Sequence, residues 1–259
     1  MVNDRLRDAM MAASITPEDV ASQLKVDPKT VERWITTGRS PYPRYRHKLA
    51  ALLRKSEAYL WPDAMSNEQA TRVSESEIVK AYAHRNVVPS ELWDRLLEQC
   101  RQEIDILVYV GMFLTEKPNL LTAFRRKAES GVKIRMFFGD RGSPAVIQRS
   151  TDEGIGPNTI SAKIDQALAY FRDLQNTSGV ELRTHGTVLY NSIYRFDEEM
   201  IINPHVYGKM APHAPALHLH RLSAGSIFDT YRESFDAVWF QANPYDAAGV
   251  SDAEARLLR

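Results

Sequence analysis

The chain has one cysteine in 259 residues, a formal net charge of zero and no apolar run long enough to cross a bilayer. Each scarcity excludes something. Cys100, being alone, allows neither an internal disulfide nor a cysteine-rich zinc site. The longest apolar stretch, residues 104–114, is too short and too often interrupted for a transmembrane helix, and the first residues carry no signal-peptide core. A soluble, cytoplasmic protein with no membrane partner is therefore expected. Five of the seven histidines fall between His185 and His220, and His218 and His220 would share one face of a strand. No cysteine or closely spaced carboxylate completes a ligand set around them, so neither a metal nor another cofactor is expected.

What is present is ordinary in bulk and uneven in distribution. With 44% hydrophobic and 25% charged residues the chain is globular, and its length favours two domains. Residues 1–60 hold 11 Lys/Arg against 7 Asp/Glu, and the stretch from Arg39 to Lys55 holds six basic residues and no acidic one. A basic end on a neutral protein points to a polyanion as its partner, although charge alone fits a solvated helix face equally well.

At that end Thr16-Pro-Glu-Asp19 has the pattern of a capping box and opens a helix, Lys25-Val26 makes a turn, and Asp27-Pro28 opens a second helix that ends at Gly38. Ala21 falls where two closely packed helices would cross. Val20, Leu24, Val26, Val31 and Trp34 fall where they would close a small core. This spacing resembles the phage-repressor, or XRE-type, helix-turn-helix family over about residues 3–60, with Lys25 standing where that family often has glycine. The resemblance implies a double-stranded DNA partner. It places Lys29, Thr30 and Arg33 toward bases in the major groove and Arg39, Arg44, Arg46 and Lys48 toward phosphates, with Arg33 as the candidate for direct readout of guanine. A single module of this kind usually works as a homodimer on two half-sites, so a dimerising element is expected elsewhere in the chain.

From residue 62 to 77 the sequence is polar and lacks apolar periodicity, as a linker would. The pattern beyond it alternates between strands and helices. A helix over 91–104 leads into a buried strand over 104–111, a helix over 119–130 and a second buried strand over 132–139, which together make a β-α-β unit with parallel strands. A long loop follows, then a helix from about 159 to 174, a strand over 180–184, a hairpin over 190–204, a strand over 216–222 and a last helix capped by Ser226 and Asp229. The expected fold class is therefore an all-α helix-turn-helix domain (1–61), a linker (62–77), an α/β domain with a mixed sheet (78–245) and a tail (246–259).

The order of elements in the second domain, with its late hairpin and aromatic terminal helix, resembles one phospholipase D-like domain. That family carries His-x-Lys-x-x-x-x-Asp in the hairpin. With Asp197 matched to its aspartate, the histidine position holds Tyr190 and the lysine position Ser192. A tyrosine without a nearby base is a weak nucleophile, and serine cannot supply the positive charge that phosphoryl transfer requires. Shifting the register to make His185 the nucleophile satisfies no other position. No catalytic residue is assigned and no enzyme is expected.

Such a framework can keep its cleft without its catalysts. In this family two hairpins meet at the site, which implies a homodimer with the cleft lined by Tyr190, Asn191 and Ser192, with His185, Tyr109 and Phe113 nearby. Arg141 and Arg149 would hold a small anionic ligand. Tyr109 and Phe113 read equally well as core, and the two arginines equally well as solvated loop residues. The whole arrangement is similar to repressor-type regulators common in actinomycete bacteria. It is read as a sequence-specific transcriptional regulator with a degenerate phospholipase D-like domain for dimerisation and ligand sensing. The alternative is a phosphodiesterase with a non-standard active site.

Overall fold

The computed structural model describes residues 2–64, 75–222 and 225–245. Residues 65–74 of the expected linker and the whole expected tail 246–259 lie outside the described residues. The chain divides into two compact units, Met1–Val79 with His220–Arg232, and Lys80–Leu219 with Glu233–Arg259.

The first unit opens with five helices: α1 (Asp4–Ala12), α2 (Pro17–Leu24), α3 (Pro28–Thr36), α4 (Pro43–Leu53) and the short α5 (Glu57–Leu60). The capping box is formed in both directions: Thr16 Oγ1 accepts from the Asp19 N–H at 3.2 Å and Asp19 Oδ2 accepts from the Thr16 N–H at 2.9 Å. Helix α2 ends because Lys25 takes the left-handed conformation, φ 54°, at a modest steric cost for a residue with a Cβ. Two residues later Asp27 Oδ1 accepts from the Lys29 N–H at 2.9 Å and starts α3. The pair α2 and α3 is thus joined by three residues. Val20, Ala21, Leu24, Val31 and Trp34 are buried together with Leu6, Leu49 and Leu60, and Val26 packs against them half-buried. Each large aliphatic side chain so buried contributes about 1.5–3 kcal/mol.

This unit also contains the start of the last helix, α11 (Ile227–Gln241). The expected cap from Ser226 and Asp229 is replaced. Glu77, assigned to the linker from sequence, is fully buried and its carboxylate accepts from the N–H groups of Ser226, Ile227 and Phe228 at 2.9, 2.9 and 3.2 Å. An anion at a helix start satisfies the unpaired donors and the dipole at once. Asp229 instead pairs with Arg221 and Arg232.

The second unit is built on a mixed sheet. Its strands are β1 (Ile78–Tyr82), β2 (Glu103–Leu107), β3 (Lys133–Gly139), β4 (Val180–His185), β5 (Asn191–Phe196), β6 (Glu199–Pro204), β7 (Ala216–His220) and β8 (Asn243–Pro244), in the order β1-β7-β6-β5-β2-β3-β4-β8. Strands β2, β3 and β4 are parallel neighbours, and β5 runs antiparallel to both β2 and β6. Parallel neighbours need crossovers. These are α8 (Leu120–Glu129) between β2 and β3, and α9 (Pro144–Asp152) with α10 (Thr159–Phe171) between β3 and β4. Helix α6 (Ser90–Gln99) precedes β2 and the short α7 (Met112–Thr115) follows it.

Two expectations are corrected. The helix expected over 91–104 stops at Gln99, because Arg101, Gln102 and Glu103 give their N–H groups to Asp197. The long loop expected after Gly139 contains α9, which Ser143 caps through the Val146 N–H and Pro144 opens.

The middle of the sheet holds a charged cluster, although Asp105 is flanked along its own strand by the buried Ile104 and Ile106. Asp105 of β2 is fully buried between its register partners Arg135 of β3 and Arg195 of β5. It accepts from Arg135 at 2.7 and 2.9 Å and from Arg195 at 3.1 Å. Arg135 also reaches Asp236 at 3.0 Å, and Arg195 bonds Glu103.

Candidate functional site

In the first unit the outer face of α3 is basic. Val31 and Trp34 turn into the core, which leaves Lys29 and Arg33 exposed and Thr30 half-buried beside them. Arg39, Arg44 and Lys48 are exposed as well, with the Arg44 guanidinium 4.6 Å from the centre of the Tyr45 ring. Arg46, expected beside phosphate, turns inward: its Nε lies 3.1 Å from Glu57 Oε2, and its Nη1 donates to the Pro41 carbonyl at 3.3 Å. Its charge is balanced within the fold by a carboxylate that is itself buried.

In the second unit the hairpin β5–β6 turns at Asp197, which has φ 51°. The Asp197 carboxylate accepts from the backbone N–H groups of Arg101, Gln102 and Glu103 at 2.6, 2.9 and 2.8 Å. Burial pushes its pKa up, but these three donors outweigh that and hold it below the usual carboxylate value. The aspartate matched to the family signature thus fastens the turn to the start of β2.

Beside the hairpin lies a cavity of about 1110 Å³. Of the pocket residues expected from sequence, Tyr109, Phe113, Arg149 and Ser192 line it. The other four do not line it. Tyr190 is 80% exposed, and Asn191 next to it does not reach the cavity wall. His185 is buried behind the wall, with its Nε2 3.1 Å from the Val108 carbonyl. Arg141 pairs with Asp165 at 3.3 Å on the surface. Arg149 is buried but spoken for, with Glu153 at 2.7 Å and the Lys209 carbonyl at 2.9 Å.

Sequence reasoning missed three lining residues that define the site. The first is His205, just beyond β6. Its Nδ1 lies 3.1 Å from the Leu189 carbonyl, which can only accept, so Nδ1 carries the proton. Burial, with Arg149 nearby, pushes its pKa down to about 4, so the ring is neutral at pH 7 and Nε2 is a bare acceptor. Ser192 Oγ, 3.0 Å away, donates to it. The Tyr109 ring stacks on His205 at 5.6 Å, and its hydroxyl accepts from the Leu189 N–H at 2.9 Å.

The second is Trp93 of α6. With Phe113 and Tyr194 it forms an aromatic wall whose ring centres are 5.1 to 5.3 Å apart. The third is Arg85, whose guanidinium lies 4.1 Å from the centre of the Phe113 ring and whose Nε has no partner. A signal existed only for Trp93, which falls on the apolar stripe of its helix. His218, singled out for the metal question, is buried with its Nε2 2.6 Å from Glu199 Oε2, and Arg95 grips the same carboxylate at 2.8 and 2.9 Å.

No family model matches the chain, and no curated protein does. Among solved structures it is similar to TrmBL2, described as an archaeal chromatin protein with a novel mode of DNA binding, at 14% identity and a TM-score of 0.42. That match covers 78% of this chain and spans 62% of the TrmBL2 chain. It is also similar to Nuc from Salmonella typhimurium, a phospholipase D family member, at 15% identity, with 61% of this chain and 90% of that one covered and a TM-score of 0.39. NucT from Helicobacter pylori matches at 10% identity over 64% of this chain and 98% of its own, with a TM-score of 0.39. Overlap this slight assigns neither family nor activity.

Proposed function

We propose that this chain is a sequence-specific DNA-binding regulator. In this reading the helical unit reads DNA, and the α/β unit is a degenerate phospholipase D-like framework that dimerises and senses a small ligand. The observation that carries the reading is the arrangement of α3: Val31 and Trp34 anchor one face in the core while Lys29, Thr30 and Arg33 line the other, on the second helix of a pair joined by three residues. This arrangement supports reading the pair as a helix-turn-helix, in which the second helix would enter the major groove. Arg39, Arg44 and Lys48 are exposed where they could meet phosphates, and a planar guanidinium at Arg33 suits the paired acceptors of guanine. The test is selection of bound sequences from a randomised duplex pool, followed by anisotropy titration of the winner. Arg33→Ala is expected to weaken the selected site by at least tenfold and to narrow its advantage over random DNA, since a bidentate base contact is worth about 1–3 kcal/mol of discrimination. Selection that returns no preferred sequence from a protein running as a dimer in light scattering removes the reading.

One arrangement favours a second reading, a hydrolase of esters or phosphodiesters. Ser192 Oγ donates to the bare Nε2 of His205, and the Leu189 carbonyl fixes the ring, as a nucleophile, a base and an orienting group would be placed. This pair replaces Tyr190 and His185 as the residues to test. Release of p-nitrophenol from bis(p-nitrophenyl) phosphate that disappears in Ser192→Ala would support it; turnover no faster than buffer removes it.

A further inference from the structure

Of the buried arginines among the described residues, Arg149 faces Glu153, and Arg195 faces Glu103 and Asp105. Arg85 is the exception. It is 9% exposed, it lines the cavity, and among the described residues it has no carboxylate partner and no side-chain hydrogen bond. Burying an unpaired guanidinium is costly, and a fold retains such a group where something else completes it. The Phe113 ring satisfies part of the need, because the guanidinium lies over its face. A ring face does nothing for the N–H groups, which point outward in the guanidinium plane and call for acceptor oxygens.

The remaining charges around the cavity do not answer that call. Lys117 is held by Asp94 at 2.6 Å and Arg149 by Glu153, while Glu116 and Lys163 are exposed at the rim with opposite signs. His205 is neutral and contributes no charge of its own. Close to Arg85 the wall is Trp93, Phe113 and Tyr194, with Val88, Met112 and Met210 also lining the space. Flat rings and adaptable methionines favour a planar apolar body. A volume of about 1110 Å³ exceeds what one small molecule needs.

We propose that the cavity binds an aromatic acid, with its carboxylate or phosphate on the Arg85 guanidinium and its ring system against Trp93, Phe113 and Tyr194. The proposal deepens the sensing role given to the second unit and rests on that reading for its regulatory meaning, but the binding itself is independent of DNA. The test therefore uses the full chain without DNA, titrated with 2-naphthoate, 2-naphthyl phosphate and the uncharged 2-naphthamide, and followed by calorimetry. At least one of the two acids is expected to bind at least tenfold more tightly than the amide, and which one does so identifies the anionic group. Arg85→Met is expected to bring that acid to the level of the amide, and Arg85→Lys to fall between. Arg85→Met is also expected to melt higher than the parent in the absence of ligand, because it removes an uncompensated buried charge.

Equal binding of acid and amide, no binding of either acid at about millimolar concentration, or full affinity in a folded Arg85→Met protein would each overturn the proposal. Should Arg85→Met not fold, the comparison of acid with amide on the parent protein still decides. A failure of the DNA reading leaves these titrations untouched, and a failure here leaves the operator selection untouched.

Discussion

Two side chains in the second unit combine roles that are usually separate. Asp197 supplies a left-handed backbone at the hairpin turn and a carboxylate for three consecutive N–H groups. Asparagine tolerates that backbone but loses the charge, so Asp197→Asn is expected to destabilise by about 1–3 kcal/mol in urea unfolding. Asp197→Gly, which keeps the turn and abandons all three donors, is expected to cost more. Because the carboxyl is held below its ordinary value, its contribution is present above the unfolded pKa, near 4, and disappears as pH falls through the lower folded value. His205 acts in a higher window. Its folded pKa of about 4 lies below the unfolded value of about 6.5, so the unfolded chain binds the extra proton between them. Stability rises with pH across that interval and is lost as pH falls from about 6.5 toward 4, by an amount on the order of 3 kcal/mol. His205→Gln is expected to flatten the dependence of melting temperature on pH by about one proton in that window. A slope equal to that of the parent would show that His205 is charged in the fold.

At the scale of elements, the start of α11 depends on a residue about 150 positions earlier in the chain. Glu77 caps three N–H groups of that helix, and a Cβ at Gly225 would lie 2.2 Å from the Glu77 carboxyl carbon. Glycine is required there for space. Glu77→Ala and Gly225→Ala are each expected to destabilise, by about 1–3 kcal/mol, and Gly225→Ala made in the Glu77→Ala background is expected to cost far less, because its collision partner is gone. Additive losses in denaturant titrations would show that the two do not meet. This cap also marks a limit of what the sequence discloses. Elements whose signals are local were legible: the capping box at Thr16, the stripe of α6, the hairpin around Asp197 and the parallel pairing of β2 with β3. Helix α9 was missed although Ser143-Pro144 is a cap followed by an N1 proline, because the glycines on both sides outweighed it. The cap of α11 was misread because a carboxylate distant in sequence displaced the local one. The site was less legible still. Ser192 could be placed through the hairpin, Tyr109 and Phe113 through the end of a strand and Arg149 through the loop expected after Gly139, but His205 counted as one histidine among several. Nothing in the spacing around Arg85 reveals that its partner is missing, since a missing partner is a property of the folded surroundings.

For the molecule as a whole, neutrality conceals an uneven spread of charge whose proposed use a salt titration can test. The proposed DNA contacts draw on exposed cations, and each phosphate neutralised releases counterions, steepening the fall of log K with log salt by about 0.9 per contact. Arg44→Gln and Lys48→Gln are each expected to flatten that slope by about 0.9 per bound head, hence by about twice that for a dimer gripping two half-sites. Arg46 lies between them in sequence and is expected to behave differently. Its guanidinium already serves Glu57, which is 6% exposed, so the charge offers little to a phosphate and its loss leaves a buried carboxylate with only His47 beside it as a side-chain partner. Arg46→Gln should leave the salt slope unchanged and lower the melting temperature of the helical unit, whereas Arg44→Gln should leave that temperature unchanged and alter the slope. Measured together, the two variants separate a cation paired with a buried carboxylate from one that faces no carboxylate. If Arg46→Gln flattens the slope as much as Arg44→Gln does, the ion pair with Glu57 opens on DNA and the helical unit uses more of its basic stretch than the free protein exposes.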